Sequence, residues 1–148
     1  MFEKETIIKN SKKYLERWRI LGYLKGHEPS DHYEGNEEVK SRLPFRLFLH
    51  RFHQPDQDAA LHSHPWQFFV SFILWGGYSE LRYGGEKVLH LKRYRAPSFN
   101  FVRKHEYHKV IYVKPGTITL VFSYGKGRDW GFLVDGRHVP WKEYLKIA

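Results

Sequence analysis

The chain contains no cysteine. That excludes disulfides, thiolate metal sites, CxxC redox chemistry and a cysteine nucleophile, and it leaves histidine and carboxylate as the side chains able to hold a metal. No apolar run approaches the roughly 20 residues that a membrane-spanning helix needs. The start, Met1-Phe2-Glu3-Lys4-Glu5, lacks the basic-then-apolar layout of a secretory leader. These absences lead to the expectation of a soluble, cytoplasmic protein. A concentrated basic tract is missing too, although 25 Lys and Arg against 16 Asp and Glu give a formal charge of +9. The charge favours anionic partners, among them nucleotides and phosphorylated or carboxylated small molecules. Its dispersal reads as solvated surface and gives only weak support to a nucleic-acid partner. Neither an internal repeat nor a low-complexity segment is present.

What the chain does have is aromatic bulk: 11 Phe and 10 Tyr within an aromatic content of 18%. Large flat side chains of this kind pack well between sheets. The length, 148 residues, suits one compact domain. Residues 3–24 read as a helix on the outside of the body, because Ile7, Ile8, Leu15, Trp18 and Leu21 recur near helical spacing and Gly22 and Gly26 follow. A polar loop over 26–41 carries His27 and His32, read as surface residues. From Phe45 onward short apolar runs alternate with turn residues, the pattern of an all-β sandwich or small barrel. The expected strands are 45–52, 67–75, 79–83, 87–92, 100–102, 109–113, 117–124 and 130–134. A short closing helix is expected over 140–145, with Pro140 in its first turn.

Chemistry concentrates at Leu61-His62-Ser63-His64-Pro65-Trp66. On a strand, residues two apart share a face, so His62 and His64 can hold one metal ion. His108 leads into the run Val110 to Val113 and is the preferred third ligand. His105, in the preceding turn, is a reserve ligand or a substrate contact. By the same alternation Trp66, Phe68, Val70 and Phe72 lie on the face of the histidine pair, Trp66 as a substrate contact and the others as core. Tyr78, Glu80 and Arg82 point together, with Glu80 expected in the cavity. Arg51, alternating with Leu47 and Leu49, is expected to point inward as an anion clamp, while Arg46, His50 and His53 fall outside the site.

These residues resemble the cupin superfamily, the RmlC-like jelly rolls. The histidine pair His62-Ser63-His64, the turn glycines Gly76-Gly77 and the later His108 correspond to the two cupin motifs over roughly 45–135. The stretch 61–80, with Trp130-Gly131-Phe132 and Pro140-Trp141-Lys142-Glu143-Tyr144, is similar to small bacterial and phage cupins. Two features depart from the pattern. The motif's glutamate falls at Phe68 or Phe69, and Ala96-Pro97-Ser98-Phe99 keeps the motif's Pro without its Gly.

The resemblance implies an all-β, cupin-type double-stranded β-helix (a jelly-roll barrel), here with an N-terminal and a short C-terminal helix. Residues 1–44 would pack on a barrel formed by 45–148. It further implies a divalent metal (Fe, Ni, Mn or Zn) on His62, His64 and His108, with either a three-His site, as in thiol-dioxygenase-like cupins, or a carboxylate from Glu80. The implied function is a non-haem Fe(II)-type enzyme, an oxygenase in chemistry, acting on a small anionic or polar substrate. In it Glu80 is a fourth ligand or general base, and Arg51, Trp66, Arg82 and His105 contact substrate. The alternatives are a sugar or nucleotide-sugar isomerase or epimerase, with a His as base and Tyr78 or Tyr107 as the catalytic acid, and a non-catalytic small-molecule or nucleic-acid binding module. Pairing through sheet edges into a homodimer is a further expectation.

Overall fold

The computed structural model describes residues 3–9, 11–21, 44–56, 60–84, 88–125 and 130–147. The loop read over 26–41, with His27 and His32, and the helix end at Gly22 and Gly26 lie outside them. The described residues form β1 (Glu3–Lys9), β2 (Lys12–Leu21), β3 (Phe45–Phe52), β4 (Leu61–His62), β5 (Phe68–Trp75), β6 (Gly77–Tyr83), β7 (Leu89–Arg95), β8 (Ser98–Arg103), β9 (Tyr107–Val113), β10 (Thr117–Tyr124), β11 (Gly131–Val134) and β12 (Arg137–Pro140). One helix, α1 (Trp141–Ile147), follows. No helix among them is long and apolar enough to cross a membrane.

Two six-stranded antiparallel sheets result, ordered β1-β2-β3-β10-β5-β8 (sheet A) and β12-β11-β4-β9-β6-β7 (sheet B). From β3 to β11 the chain passes repeatedly from one sheet to the other, so residues distant in sequence line a common interior. Phe48, Phe69, Val102 and Val121 of sheet A form one core cluster, against which Trp66 packs. A second cluster joins Ile73 of sheet A to Tyr78, Val110 and Val113 of sheet B.

The N-terminal helix is not found. Residues 3–21 form an antiparallel hairpin with Glu3 opposite Arg19 and Ile7 opposite Leu15, turning at Ser11, and β2 pairs with β3 to extend sheet A. The apolar spacing misleads because both faces of β2 are covered. Tyr14, Leu15, Glu16 and Arg17 are consecutively buried, so the strand shows no polar–apolar alternation. On one face Glu16 collects Lys4 at 3.1 Å, Lys13 at 3.4 Å and His53 at 2.9 Å. On the other, Leu15 and Arg17 reach the interior cavity.

The closing helix is present, but Pro140 ends β12 and Trp141 opens the helix. It is fastened by stacking of Trp141 on Trp130, ring centroids 5.8 Å apart, and of Tyr144 on Phe132 at 3.8 Å. Between β5 and β6, Gly76 has φ +77°, and a Cβ there would meet Thr117 Oγ1 at 2.5 Å. Only glycine suits that turn.

Candidate metal centre

Three imidazoles converge between β4, the segment after it and β9. His62 lies on the two-residue strand β4, opposite Phe132 on one side and His108 on the other. The strand ends at once, yet His64 projects to the same place because Ser63 is locked from below. Ser63 is completely buried; its backbone N–H donates to Gly131 O at 2.9 Å and its hydroxyl accepts from Gly131 N–H at 3.1 Å. A Cβ on Gly131 would meet Val139 O at 2.2 Å, so glycine is what allows β12 to pair this closely on the other side of β11.

One ligand atom from each of His62, His64 and His108 lies within 4.8 Å of the others. The Nε2 atoms of His64 and His108 are 2.9 Å apart. Two nitrogens bonded at about 2.1 Å to one ion and at right angles would stand about 3 Å apart, so the donor set and spacing fit a divalent cation. Burial, then the positive charges of His62, His108 and Arg17, hold the His64 pKa well below its ordinary value. Its ring is therefore neutral, the form that ligates metal.

His108 Nδ1 is bonded to Glu80 Oε2 at 2.6 Å. A carboxylate there makes Nδ1 the protonated nitrogen and turns the Nε2 lone pair toward the cluster. Glu80 is fully buried and is itself held: its other oxygen accepts from Arg82 Nη2 at 2.5 Å and from Asn100 Nδ2 at 3.0 Å. Asn100 Nδ2 also donates to the Tyr78 hydroxyl at 2.8 Å, and Arg82 Nη1 to Phe101 O at 2.9 Å. Burial by itself raises the Glu80 pKa, but the charge and hydrogen bond of His108, with Arg82 and Asn100, outweigh it, and the net shift is downward. Burial and the Glu80 charge push the Tyr78 hydroxyl up, so it keeps its proton.

The cluster opens on an interior cavity of about 200 Å³. Its walls are mainly aromatic, including Tyr14, Phe48, Phe52, Trp66, Phe69, Tyr78 and Phe132. Trp66 stacks on His64 with planes 4° apart, and the Phe69 edge meets the same ring at 4.7 Å. Trp66 thus lies where the sequence reading puts it.

Several other expectations are corrected. Glu80 is not a member of the ligand cluster, because its oxygens are engaged by His108, Arg82 and Asn100; it acts behind His108. Arg82 is spent on Glu80 and Asn100 and does not line the cavity. Tyr78 does line it, although its hydroxyl accepts from Asn100. Arg51 is exposed and lies beside Glu16 on the outer face of sheet A, while His50, one residue earlier, points inward. His105 is exposed in the turn between β8 and β9. Phe68 and Phe72 also miss the histidine face. The turn through Pro65 carries the chain from sheet B to sheet A and shifts the phase, so Phe69, Ser71 and Ile73 are the buried positions and Phe72 is exposed.

The sequence reading missed Arg17, His50, Asp56 and Thr119, all of which line the cavity. Asp56 accepts from the Tyr14 hydroxyl and, at 2.7 Å, from Val110 N–H. Burial raises its pKa, but the His62 charge and these two bonds bring it down overall. Its signal, an aspartate in Gln54-Pro55-Asp56, is that of an ordinary turn. Arg17 could be found only by recognising β2 as a strand beside β3, and Thr119, on the expected strand 117–124, only from the register of β10 with β3.

No protein-family model and no curated protein sequence matches the chain. Solved structures do. The Fe(II) form of HppE with the alternative substrate (S)-1-HPP matches with a TM-score of 0.52 at 12% identity, covering 83% of this chain and 55% of that one. Oxalate decarboxylase from Bacillus subtilis matches with a TM-score of 0.59 at 7% identity, covering 99% and 32%. The chain therefore spans about half the length of the first and a third of the second. At these identities the likeness is one of fold.

Proposed function

Because the chain has the cupin fold that it shares with HppE and oxalate decarboxylase, we propose that it is a metal-dependent enzyme of the non-haem Fe(II) type. Its substrate is a small anionic or polar molecule, and the metal is held by His62, His64 and His108. The observation that carries this reading is the convergence of three imidazoles at the wall of an aromatic cavity, with one of them oriented by a buried carboxylate. Buried imidazoles facing one another at 2.9 Å are costly unless a shared proton or cation sits between them. The fold neighbour HppE is described with Fe(II), in agreement with such a centre.

A divalent ion bound there would supply Lewis acidity and open positions for substrate. The chain's own residues do the rest. Glu80 keeps a proton on His108 Nδ1, so that Nε2 faces the cavity as a lone pair. Trp66 and Phe69 clamp the His64 ring and exclude water from it, which strengthens each electrostatic contact inside. Tyr78 retains its proton and braces Asn100, which in turn holds Glu80. The largely apolar wall does not suit a sugar, whose hydroxyls would each need a partner, so the isomerase or epimerase reading loses support.

The test is metal content after anaerobic purification. Wild-type protein is expected to carry about one equivalent of a divalent first-row metal. His62→Ala, His64→Ala and His108→Ala are each expected to lose it while keeping the β-type circular dichroism spectrum. Equal metal content in wild type and in all three variants would remove the assignment.

A further inference from the structure

A second set of buried polar groups lines the cavity from the opposite sheet. Arg17 of β2 stands across from His50 of β3, and His50 stands across from Thr119 of β10. Residues paired in this way project from the same face, so the three make one row over three adjacent strands. All three are buried, with Arg17 5%, His50 8% and Thr119 1% exposed, and all three line the cavity. Arg17 Nε donates to His50 Nε2 at 2.7 Å. That bond makes Nε2 the unprotonated nitrogen of His50 and steadies the guanidinium, which also lies over the Phe48 ring at 5.1 Å.

At the other end of the row, the Thr119 hydroxyl is buried and has no hydrogen-bond partner among the described residues. A buried hydroxyl left in this condition is destabilising, and a valine would fill the same space without the cost. The row therefore joins a cation, whose Nη1 also stands 3.7 Å from Glu5 Oε2, to an unsatisfied hydroxyl on a sheet A wall that also carries Phe48, Phe52, Phe69, Ser71 and Val121, while the Asp56 carboxylate lines the cavity elsewhere.

We propose that Arg17, His50 and Thr119 form a carboxylate-reading subsite facing the imidazole cluster. The substrate is accordingly a monocarboxylic acid with a compact apolar body, a single ring or a branched chain. The guanidinium takes the carboxylate, the Thr119 hydroxyl donates to it, and the aromatic wall takes the body. Size follows from the cavity: about 200 Å³ compares with the engineered apolar cavity of about 150 Å³ that takes up benzene, so one ring with a short polar group fits. The proposal rests on the metal-enzyme reading for its second wall, although the subsite consists of this chain's residues alone and can be probed without metal.

The experiment is calorimetric titration of the full chain, chelator-treated and separately Zn(II)-loaded, with benzoate, its neutral isostere benzamide and the larger 2-naphthoate. Benzoate is expected to bind at one site in the chelator-treated protein, benzamide at least about tenfold more weakly, as for loss of a charge-assisted hydrogen bond, and 2-naphthoate more weakly than benzoate. Arg17→Gln is expected to erase the preference for benzoate over benzamide. Thr119→Val, nearly isosteric and removing only the hydroxyl, should weaken benzoate about three- to tenfold, the scale of one lost hydrogen bond; it covers the case in which Arg17→Gln fails to fold. Equal affinity for benzoate and benzamide, no benzoate binding in either form, or unchanged binding in both variants would overturn the proposal. Metal uptake measured on the same samples separates the two readings. Benzoate binding without metal uptake defeats the metal centre and leaves the subsite standing, whereas metal uptake without benzoate binding does the reverse.

Discussion

Glu80 is the residue on which the centre's geometry turns. Its two oxygens are divided between aiming His108 and neutralising Arg82, with Asn100 completing the shell. Glu80→Gln would leave the Arg82 charge buried without its counter-ion and put an amide against His108 Nδ1. Loss of an outer-shell carboxylate typically costs 10- to 100-fold in metal affinity, and about that loss is expected in competition titrations with a chromophoric chelator. Breaking one side of a buried ion pair costs roughly 3–5 kcal/mol, which urea unfolding of the metal-free variant should report. The pH dependence follows from the direction of the Glu80 shift. Its native pKa lies below the ordinary value of 4.5, so its stabilising contribution is present above that value and is lost as pH falls through the lower, native one. An affinity unchanged in Glu80→Gln would mean that His108 is oriented by something else.

Among the elements, β4 is only two residues long, and it positions two ligands because β11 presses against it through Ser63 and Gly131. Gly131→Ala places a methyl against Val139 O, and β11 must move. Overpacking of this kind typically costs 1–3 kcal/mol; a melting temperature lowered accordingly and a weakened metal affinity are expected together. A variant destabilised but with full metal affinity would show that β11 does not set the position of His62. The hairpin β1–β2 marks where the sequence was hard to read. The strands 45–52 and 117–124 emerge at their read boundaries because turn residues bound each run, Pro44 and Gln54-Pro55-Asp56 for the first and Pro115-Gly116 and Gly125 for the second, whereas β2 buries Glu16 and Arg17 next to each other. Its charged residues looked like a solvated helix face, and with that hairpin went Arg17. The one-residue error that sent Arg51 inward and His50 outward has a related cause: the row across β2, β3 and β10 carries polar groups on the inner face, so polarity no longer marks the outside. The His62, His64 and His108 cluster was legible because it rests on spacing and residue type, and Glu80 because it shares a strand face with Tyr78. Its role behind His108 depends on the register between β6 and β9, which no local pattern carries.

In the molecule as a whole, the two sheets flank a cavity in which His50 and His64 are kept neutral. Burial and, to a lesser degree, the Arg17 charge hold His50 well below the ordinary 6.5, and His64 is held down by burial and its neighbours. For a histidine whose native pKa is depressed, the unfolded chain binds more protons below about pH 6.5, so stability falls as pH drops through that range. Metal-free protein is expected to melt at a lower temperature at pH 5.5 than at pH 7.5, and His50→Gln to reduce the difference. An identical melting temperature across that interval in the wild type would be inconsistent with buried neutral imidazoles. The central claim concerns what those imidazoles hold, and X-ray absorption at the metal edge of the loaded protein addresses it most directly. Three imidazole nitrogens at about 2.0–2.2 Å, with no carboxylate contributed by Glu80 and one imidazole fewer in His64→Ala, is the outcome expected. A first shell containing fewer than two imidazoles, or one unaltered by His64→Ala, would refute the three-histidine centre.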